Sequence, residues 1–329
     1  MNPLTTIYGR VTALRNALFD RGTLTSRRLE PPVISIGNLS VGGSGKTPFV
    51  IALGELLKER GIRFDVLSRG YRRRTRGALV VEPGGAASDF GDEPLLIARR
   101  LGVPVIVGES RYAAGQLAER KFQPQLHILD DGFQHRSLRR DFDVVLVAES
   151  DIDDRLLPAG RLREPLSALF RADAIVLPGD GAMPGRLAQN AVIQEFVSRG
   201  KPVWQMTRSL TIPATSGQPT VFCGIARPAQ FFAQVRAAGT TPAEEIAFRD
   251  HHAYTRPDIE RLLESRRDLG ASGFLTTEKD AINLGAYLTA LEPIAVARLD
   301  ISLSHAAEAV NAILSKINFA TGENRSPRS

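Results

Sequence analysis

The sequence predicts an α/β protein: a larger N-terminal part built on a mainly parallel sheet, and a second, smaller α/β part behind it. Three observations lead there. Short apolar, β-branched runs alternate with helical stretches from residue 33 onward, the pattern of strands buried on both faces by helices. A glycine-rich loop at residues 40–47 joins the first such run to the first helical stretch. A segment rich in Thr, Ser, Pro and Gly at residues 211–220 interrupts the alternation before it restarts.

The elements follow in order. Leu4, Ile7, Tyr8, Val11, Leu14 and Leu18 recur at helical spacing, so residues 1–30 hold an amphipathic helix. Arg10 and Arg21 sit beside its apolar stripe, and Arg15 falls within it, where a long side chain can snorkel. This helix either packs on its own domain or lies on a membrane surface. Strands are expected at 33–36, 63–68, 103–108, 126–130, 143–148 and 174–177, and helices at 48–60, 93–101 and 112–121. A helix at 187–198 and a strand at 203–207 complete residues 31–207 as one domain. Residues 208–219 read as a linker. The smaller domain, 220–318, carries strands at 220–223, 274–276 and 294–298, with helices at 228–238, 257–269 and 305–316. The polar tail 319–329 reads as flexible.

Bulk properties narrow the function classes. The 329 residues are 43% apolar and 24% charged, ordinary for a folded chain with room for two cores. The single cysteine, Cys223, excludes an internal disulfide and fits a reducing compartment. No apolar run approaches the roughly 18 residues of a membrane span, and the N-terminus lacks a signal peptide's continuous apolar core. The formal charge is +6, with arginines clustered at 69–76 and 136–140. Such clusters suit phosphate or other anions, or form a solvated face. No zinc spacing or RNA-binding aromatic motif accompanies them, so nucleic acid is not an expected partner.

The loop Ser40-Val41-Gly42-Gly43-Ser44-Gly45-Lys46-Thr47 is a P-loop in the context that motif requires, strand before and helix after. Glycines let backbone amides turn toward phosphates, and the helix N-terminus adds partial positive charge. Lys46 would reach the β- and γ-phosphates of ATP, and the Thr47 hydroxyl would bind Mg²⁺. Ser40 stands where the general pattern has glycine. The larger domain is therefore expected to be a P-loop NTPase domain. The run His127-Ile128-Leu129-Asp130-Asp131-Gly132 is an apolar strand ending in paired acids, which fits a carboxylate at the metal. Asp-Gly also suits a simple turn. Val41 replaces the second lysine of partitioning ATPases, and no Asn-Lys-x-Asp guanine-reading motif is present. A kinase for a small or lipid acceptor remains, against a P-loop ATPase acting as a switch for a partner protein.

Further phrases sharpen this. They are Gly37-Asn38-Leu39 before the P-loop, Ser68-Arg69-Gly70-Tyr71, Gly91-Asp92-Glu93-Pro94, Asp130-Asp131-Gly132-Phe133-Gln134-His135, Pro158 to Pro165 around Arg161 and Glu164, and Thr276-Thr277-Glu278-Lys279-Asp280. In this order they resemble the tetraacyldisaccharide 4′-kinase family of lipid A biosynthesis, from the first helix to about residue 315. A hydroxyl residue at the Ser40 position is usual in that family. The resemblance implies ATP-dependent phosphorylation of the 4′-hydroxyl of a tetraacyldisaccharide 1-phosphate, giving lipid IVA. It implies work at the cytoplasmic face of the bacterial inner membrane as a peripheral protein, without an obligatory protein partner. It also implies two domains joined by a two-stranded linker, closing on nucleotide.

Residue roles follow from the same resemblance. Asp92 matches the proposed catalytic base, although Gly-Asp-Glu-Pro also reads as a helix start. His251 matches the histidine that pairs with it from the second domain, with His252 as its competitor. Asp130, Asp131 and Glu164 join Thr47 as metal candidates. Asn38, Arg69, Tyr71 and Arg161 are candidates for acceptor contacts. A substrate with four acyl chains selects the membrane-interface role for the first helix.

Overall fold

The computed structural model describes residues 3–43, 45–179, 183, 185–215 and 217–319. Helix α1 (Pro3–Asp20) precedes the sheet. The larger part then runs β1 (Val33–Asn38), α2 (Lys46–Glu59), β2 (Phe64–Ser68), β3 (Leu79–Val80), α3 (Ala87–Phe90), α4 (Asp92–Leu101), β4 (Val105–Val107), α5 (Arg111–Phe122), β5 (Leu126–Asp130), β6 (Phe142–Leu146) and β7 (Ala174–Pro178). After α6 (Gly185–Ala188) and α7 (Ala191–Ser198) comes the long strand β8 (Val203–Thr211). The smaller part holds β9 (Thr220–Cys223), α8 (Pro228–Ala237), β10 (Glu244–Ala247), α9 (Arg256–Asp268), β11 (Phe274–Thr277), α10 (Glu278–Leu284), β12 (Ile294–Leu303) and α11 (Ala306–Lys316).

The strands follow the order β10-β9-β11-β12-β8-β7-β6-β1-β5-β2-β4-β3. Strand β1 is central to the larger part and pairs in parallel with β5 and β6. All of its residues are buried, as expected for a strand covered on both faces. The carboxyl ends of β1 and β5 therefore lie side by side, where ligands bind in open α/β sheets. One face of the sheet packs on α2 and α4 through Phe49, Leu53, Leu95 and Ile97. Truncating Phe49, fully buried, would cost about 3–5 kcal/mol.

Two strands join the parts. The first half of β8 pairs in parallel with β7, and the first half of β12 pairs in parallel with β11. Their second halves pair with each other, antiparallel, from Arg298↔Thr211 to Leu303↔Met206. This is why the strands expected to end at residues 207 and 298 run on to Thr211 and Leu303: each gains a ladder partner remote in sequence, which local composition does not report. The helix expected over 187–198 is broken in two. Asn190 caps α7, its side chain accepting from the Val192 and Ile193 amides. The short edge strands β3 and β10 and the helix α10 were not expected. Helix α10 starts on Thr277, whose Oγ1 accepts from the Asp280 amide.

Candidate active site

The P-loop leaves β1 and enters α2 through Gly45 at φ 88°, a conformation that disfavours any side chain. A Cβ there would also sit 2.7 Å from Nη2 of Arg208 on β8. Ser40 and Val41 are pinned from outside: Ser40 bridges Leu162, and the Val41 amide donates to the Arg161 carbonyl at 2.8 Å. Gly42 and Gly43 are exposed. Ser44 lies outside the described residues. Lys46 Nζ donates to Asn38 Oδ1 at 2.9 Å and lies 3.4 Å from Asp131 Oδ1. Asn38 is itself fixed, its Nδ2 donating to the Ser40 carbonyl at 2.6 Å. Thr47 is buried in the first turn of α2.

The paired acids at the end of β5 have different surroundings. Asp130 is buried; its Oδ2 accepts from Ser68 Oγ at 3.0 Å, and its Oδ1 has no hydrogen-bond partner among the described residues. Burial, then the charges of Glu93 and Asp131, push its carboxyl up to about 7. Asp131 adopts φ 51°, a left-handed backbone that Asp tolerates better than most residues. That turns it toward Arg163, whose Nη1 lies 3.0 Å from both carboxylate oxygens. Against the effect of burial, Lys46 and Arg163 hold Asp131 below the usual carboxylate range. Glu164 is buried, and its Oε2 accepts from Asn16 of α1 at 2.7 Å and Arg171 at 2.8 Å. Its Oε1 has no hydrogen-bond partner among the described residues.

Asp92 is the first residue of α4 and is 6% exposed. Its Oδ2 meets His251 Nδ1 at 2.7 Å and accepts from Asn283 Nδ2 at 3.3 Å. Its Oδ1 accepts from the Glu93 amide at 2.9 Å. Burial opposes ionisation, but the His251 hydrogen bond and the Lys279 charge outweigh it and hold the carboxyl down to about 2. The same bond raises His251 above the usual imidazole value. His252 points elsewhere: its Nε2 lies 3.0 Å from Asp258 Oδ2, and its ring stacks on Phe248. Sequence left His251 and His252 in competition; geometry places His251 on Asp92.

These groups share one cavity of about 830 Å³. Lys46, Thr47, Asp92, Asp130, Asp131 and Glu164 all reach its wall, as do Arg69, Tyr71 and His251. Asn38 lies beneath Lys46, outside the wall. Arg161 is also outside it, with Nε on Asp154 Oδ2 at 2.8 Å. The smaller part closes the far side with Ala226, Arg227 and Gln230. Arg163, Arg208, Lys279 and Asn283 were not expected from sequence. Only Lys279 and Arg163 stood inside a quoted phrase; Arg208 and Asn283 carry no local signal.

The donor set fits a hard divalent cation. The unpartnered buried acceptors Asp130 Oδ1 and Glu164 Oε1 and the Thr47 hydroxyl are all oxygen. Among the described residues no three acidic, His or Cys side chains converge into a cage. Mg²⁺ bound through one or two carboxylates and substrate phosphates needs none.

The family model described as tetraacyldisaccharide-1-P 4′-kinase matches residues 1–318. The chain belongs to that family. A tetraacyldisaccharide 4′-kinase of Koribacter versatilis (strain Ellin345) is 45% identical, over 98% of this chain and 100% of that one. The protein of that name from Aquifex aeolicus (strain VF5) is 39% identical over 87% of this chain and 89% of its own. The crystal structure of Aquifex aeolicus LpxK in complex with ATP has a TM-score of 0.76 and 35% identity, covering 96% of this chain and 98% of that one. The likeness to that structure extends over both α/β parts of this chain.

Helix α1 borders the same site. Tyr8 Oη donates to the Arg163 carbonyl at 3.1 Å, and Arg15 Nη2 to the Gln134 carbonyl at 2.9 Å. Arg15 thus turns inward rather than snorkelling outward. No residue of α1 is buried, while Leu4, Ile7, Val11 and Leu14 are each 58–62% exposed along one stripe. No helix among the described residues is long and apolar enough to cross a membrane.

Proposed function

We propose that this chain transfers the γ-phosphate of ATP to the 4′-hydroxyl of a tetraacyldisaccharide 1-phosphate, forming lipid IVA, with Asp92 as base. The observation that carries the reading is the Asp92–His251 pair on the same cavity as the P-loop Lys46. A sugar hydroxyl is a poor nucleophile, so a positioned carboxylate that accepts its proton accelerates attack on phosphorus. Asp92 is ionised throughout the neutral range, and His251 fixes the carboxylate through Oδ2. The proton passes from the hydroxyl to Asp92 as the oxygen–phosphorus bond forms, and the bond to the ADP oxygen breaks.

The P-loop amides and Lys46 take the β- and γ-phosphates, and phosphate oxygens replace Asp131 at Lys46 Nζ. Asn38 acts through Lys46, holding it over the loop. Thr47, Asp130, Asp131 and Glu164 would hold Mg²⁺, which neutralises phosphate charge and orients the transferring group. Arg69 and Tyr71 take the acceptor sugar or its phosphate. Arg161 joins them only if its pair with Asp154 opens. Residues 31–207 act as the nucleotide domain and 220–318 as the smaller domain, with 208–219 in the linker between them.

Helix α1 serves as an interfacial anchor, its exposed apolar stripe in the lipid and its polar face on the site. It places the enzyme peripherally at the cytoplasmic face of the inner membrane, where ATP and the acylated acceptor meet. Ile7→Glu with Leu14→Glu should reduce flotation with anionic vesicles by at least about tenfold; undiminished flotation removes the helix from anchoring. The reaction itself is tested by transfer of labelled γ-phosphate to disaccharide 1-phosphate in detergent micelles. Label in the lipid at the 4′ position supports the kinase. ATP hydrolysis without labelled lipid favours the partner-switching ATPase instead.

A further inference from the structure

Helix α10 meets α4 through two ion pairs of opposite sense. At the start of α4, Glu93 Oε1 accepts from Lys279 Nζ at 2.5 Å. Two turns further along the same face, Arg100 Nη1 grips both oxygens of Glu278, at 3.0 and 2.9 Å. Its Nη2 reaches Asp300 Oδ1 on β12 at 2.6 Å. Acid and base on α4 thus face base and acid on adjacent residues of α10. Leu96 and Ile282, both buried, belong to one apolar cluster, so the contact has an apolar component as well. One turn beyond Lys279, Asn283 donates to Asp92 Oδ2, the oxygen that also meets His251. A third link lies nearby: Arg72 Nη1 donates to the carbonyls of Asp250 and His251, at 3.0 and 3.1 Å.

Arg100 has no place in the chemistry. It stands about 12 Å along the helix axis from Asp92 at 1.5 Å per residue. With Nη1 between the two oxygens of Glu278, Nη2 on Asp300 and the side chain only 12% exposed, Arg100 forms a specific clamp rather than a solvated pair.

We infer that Arg100, Glu278 and Lys279 are positioning residues for phosphoryl transfer: their ion pairs dock α10 on α4 and thereby fix Asn283 and His251 against Asp92. The inference rests on the reading of Asp92 as base. A guanidinium outside the cavity, gripping a carboxylate on its wall, then sets how often the pair at the reacting atoms is assembled. The P-loop is built within the larger part, so nucleotide binding is expected to depend on this docking much less than phosphoryl transfer does.

The experiment is a charge-exchange set on the full chain: R100E, E278R and R100E/E278R, with D92N as reference. Values of kcat, and of KM for ATP and for disaccharide 1-phosphate, are measured beside thermal unfolding. Each single variant places like charges in contact and is expected to lower kcat by about 10- to 100-fold while KM for ATP stays within about twofold. The double variant restores the pair, with Asp300 still held by Arg298 at 2.8 Å, and is expected to recover kcat to within about fivefold of wild type. Recovery in the double variant is what a merely destabilising substitution would not give. If a single variant does not fold, R100Q and E278Q replace it, with a smaller loss and the same unchanged KM for ATP expected. Wild-type kcat in the single variants, or a folded double variant that stays as slow as they are, overturns the inference. D92N separates the two readings. If D92N turns over normally, the base assignment fails; if D92N is inactive and R100E is not, only the docking inference fails.

Discussion

The two halves of the site are held together by different means. Lys46 is oriented by Asn38, eight positions away, through a strand, a loop and a helix that pack as one unit. Asp92 is oriented by His251 and Asn283, which lie 159 and 191 positions away in the smaller part. The first half forms whenever the central sheet forms. The second exists only when the smaller part is docked. A kinase gains from that separation. In the proposed reading ATP binds to a cradle within the larger part, while Asp92 is oriented only with the smaller part docked, an arrangement that would keep water from being phosphorylated before the acceptor arrives.

The sharpest way to break this comparison is one substitution in each half. Asp92→Asn should lower kcat by about 10³-fold or more, with KM for ATP nearly unchanged. Lys46→Ala should lower kcat/KM for ATP by a comparable factor, and in addition raise the Kd for ATP measured without acceptor. Calorimetric ATP binding and steady-state transfer on both variants check this. If Asp92→Asn also abolished ATP binding, the halves would not be separable.

Next in size is His251→Asn. An amide can keep a hydrogen bond to Asp92 but carries no charge, so about a 10- to 100-fold loss in kcat is expected. His252→Asn should stay within about threefold of wild type, because His252 bonds Asp258 beside the start of α9 and touches neither Asp92 nor the cavity. Equal losses in the two variants would mean that the histidines act through the fold and not through Asp92.

The same division explains what was legible in the sequence. The P-loop, the acidic end of β5 and the helix start at Asp92 are contiguous phrases whose chemistry needs fixed local spacing, so each could be read from a single stretch. The alternation of strands and helices showed the parallel sheet for the same reason. The assembly of the second half is a property of tertiary packing. The family resemblance favoured His251 over His252, but that residue 251 takes φ 54° and meets Asp92 at the start of α4 was not legible in the sequence. Arg208 and Asn283 sit in ordinary strand and helix sequence, and only the pairing of β8 with β12 and the docking of α10 bring Arg208 to the cavity and Asn283 to Asp92. Arg161 shows the converse: it lies in a motif phrase, yet its side chain is spent on Asp154.

The smallest expected effect tests the second half without substrate. His251 has a folded value raised above 6.5, so the stability it contributes is complete below about pH 6.5 and fades as pH rises through that folded value. Asp92 is lowered from 3.8 to about 2, so its contribution is complete above about pH 4 and fades as pH falls toward 2. The pair therefore stabilises docking most between about pH 4 and 6.5, by about 2 kcal/mol from the Asp92 shift. In a chain of this size that is a Tm difference of about 2–6 °C between wild type and Asp92→Asn, largest inside that window and shrinking on both sides of it. Acidic groups that do not touch the pair titrate alike in both proteins and cancel in the difference. A Tm difference that stayed flat from pH 3 to 9 would mean that the carboxylate and imidazole do not hold each other. The docking of the second half would then rest on the α4–α10 contacts and on the Arg72 link to residues 250 and 251.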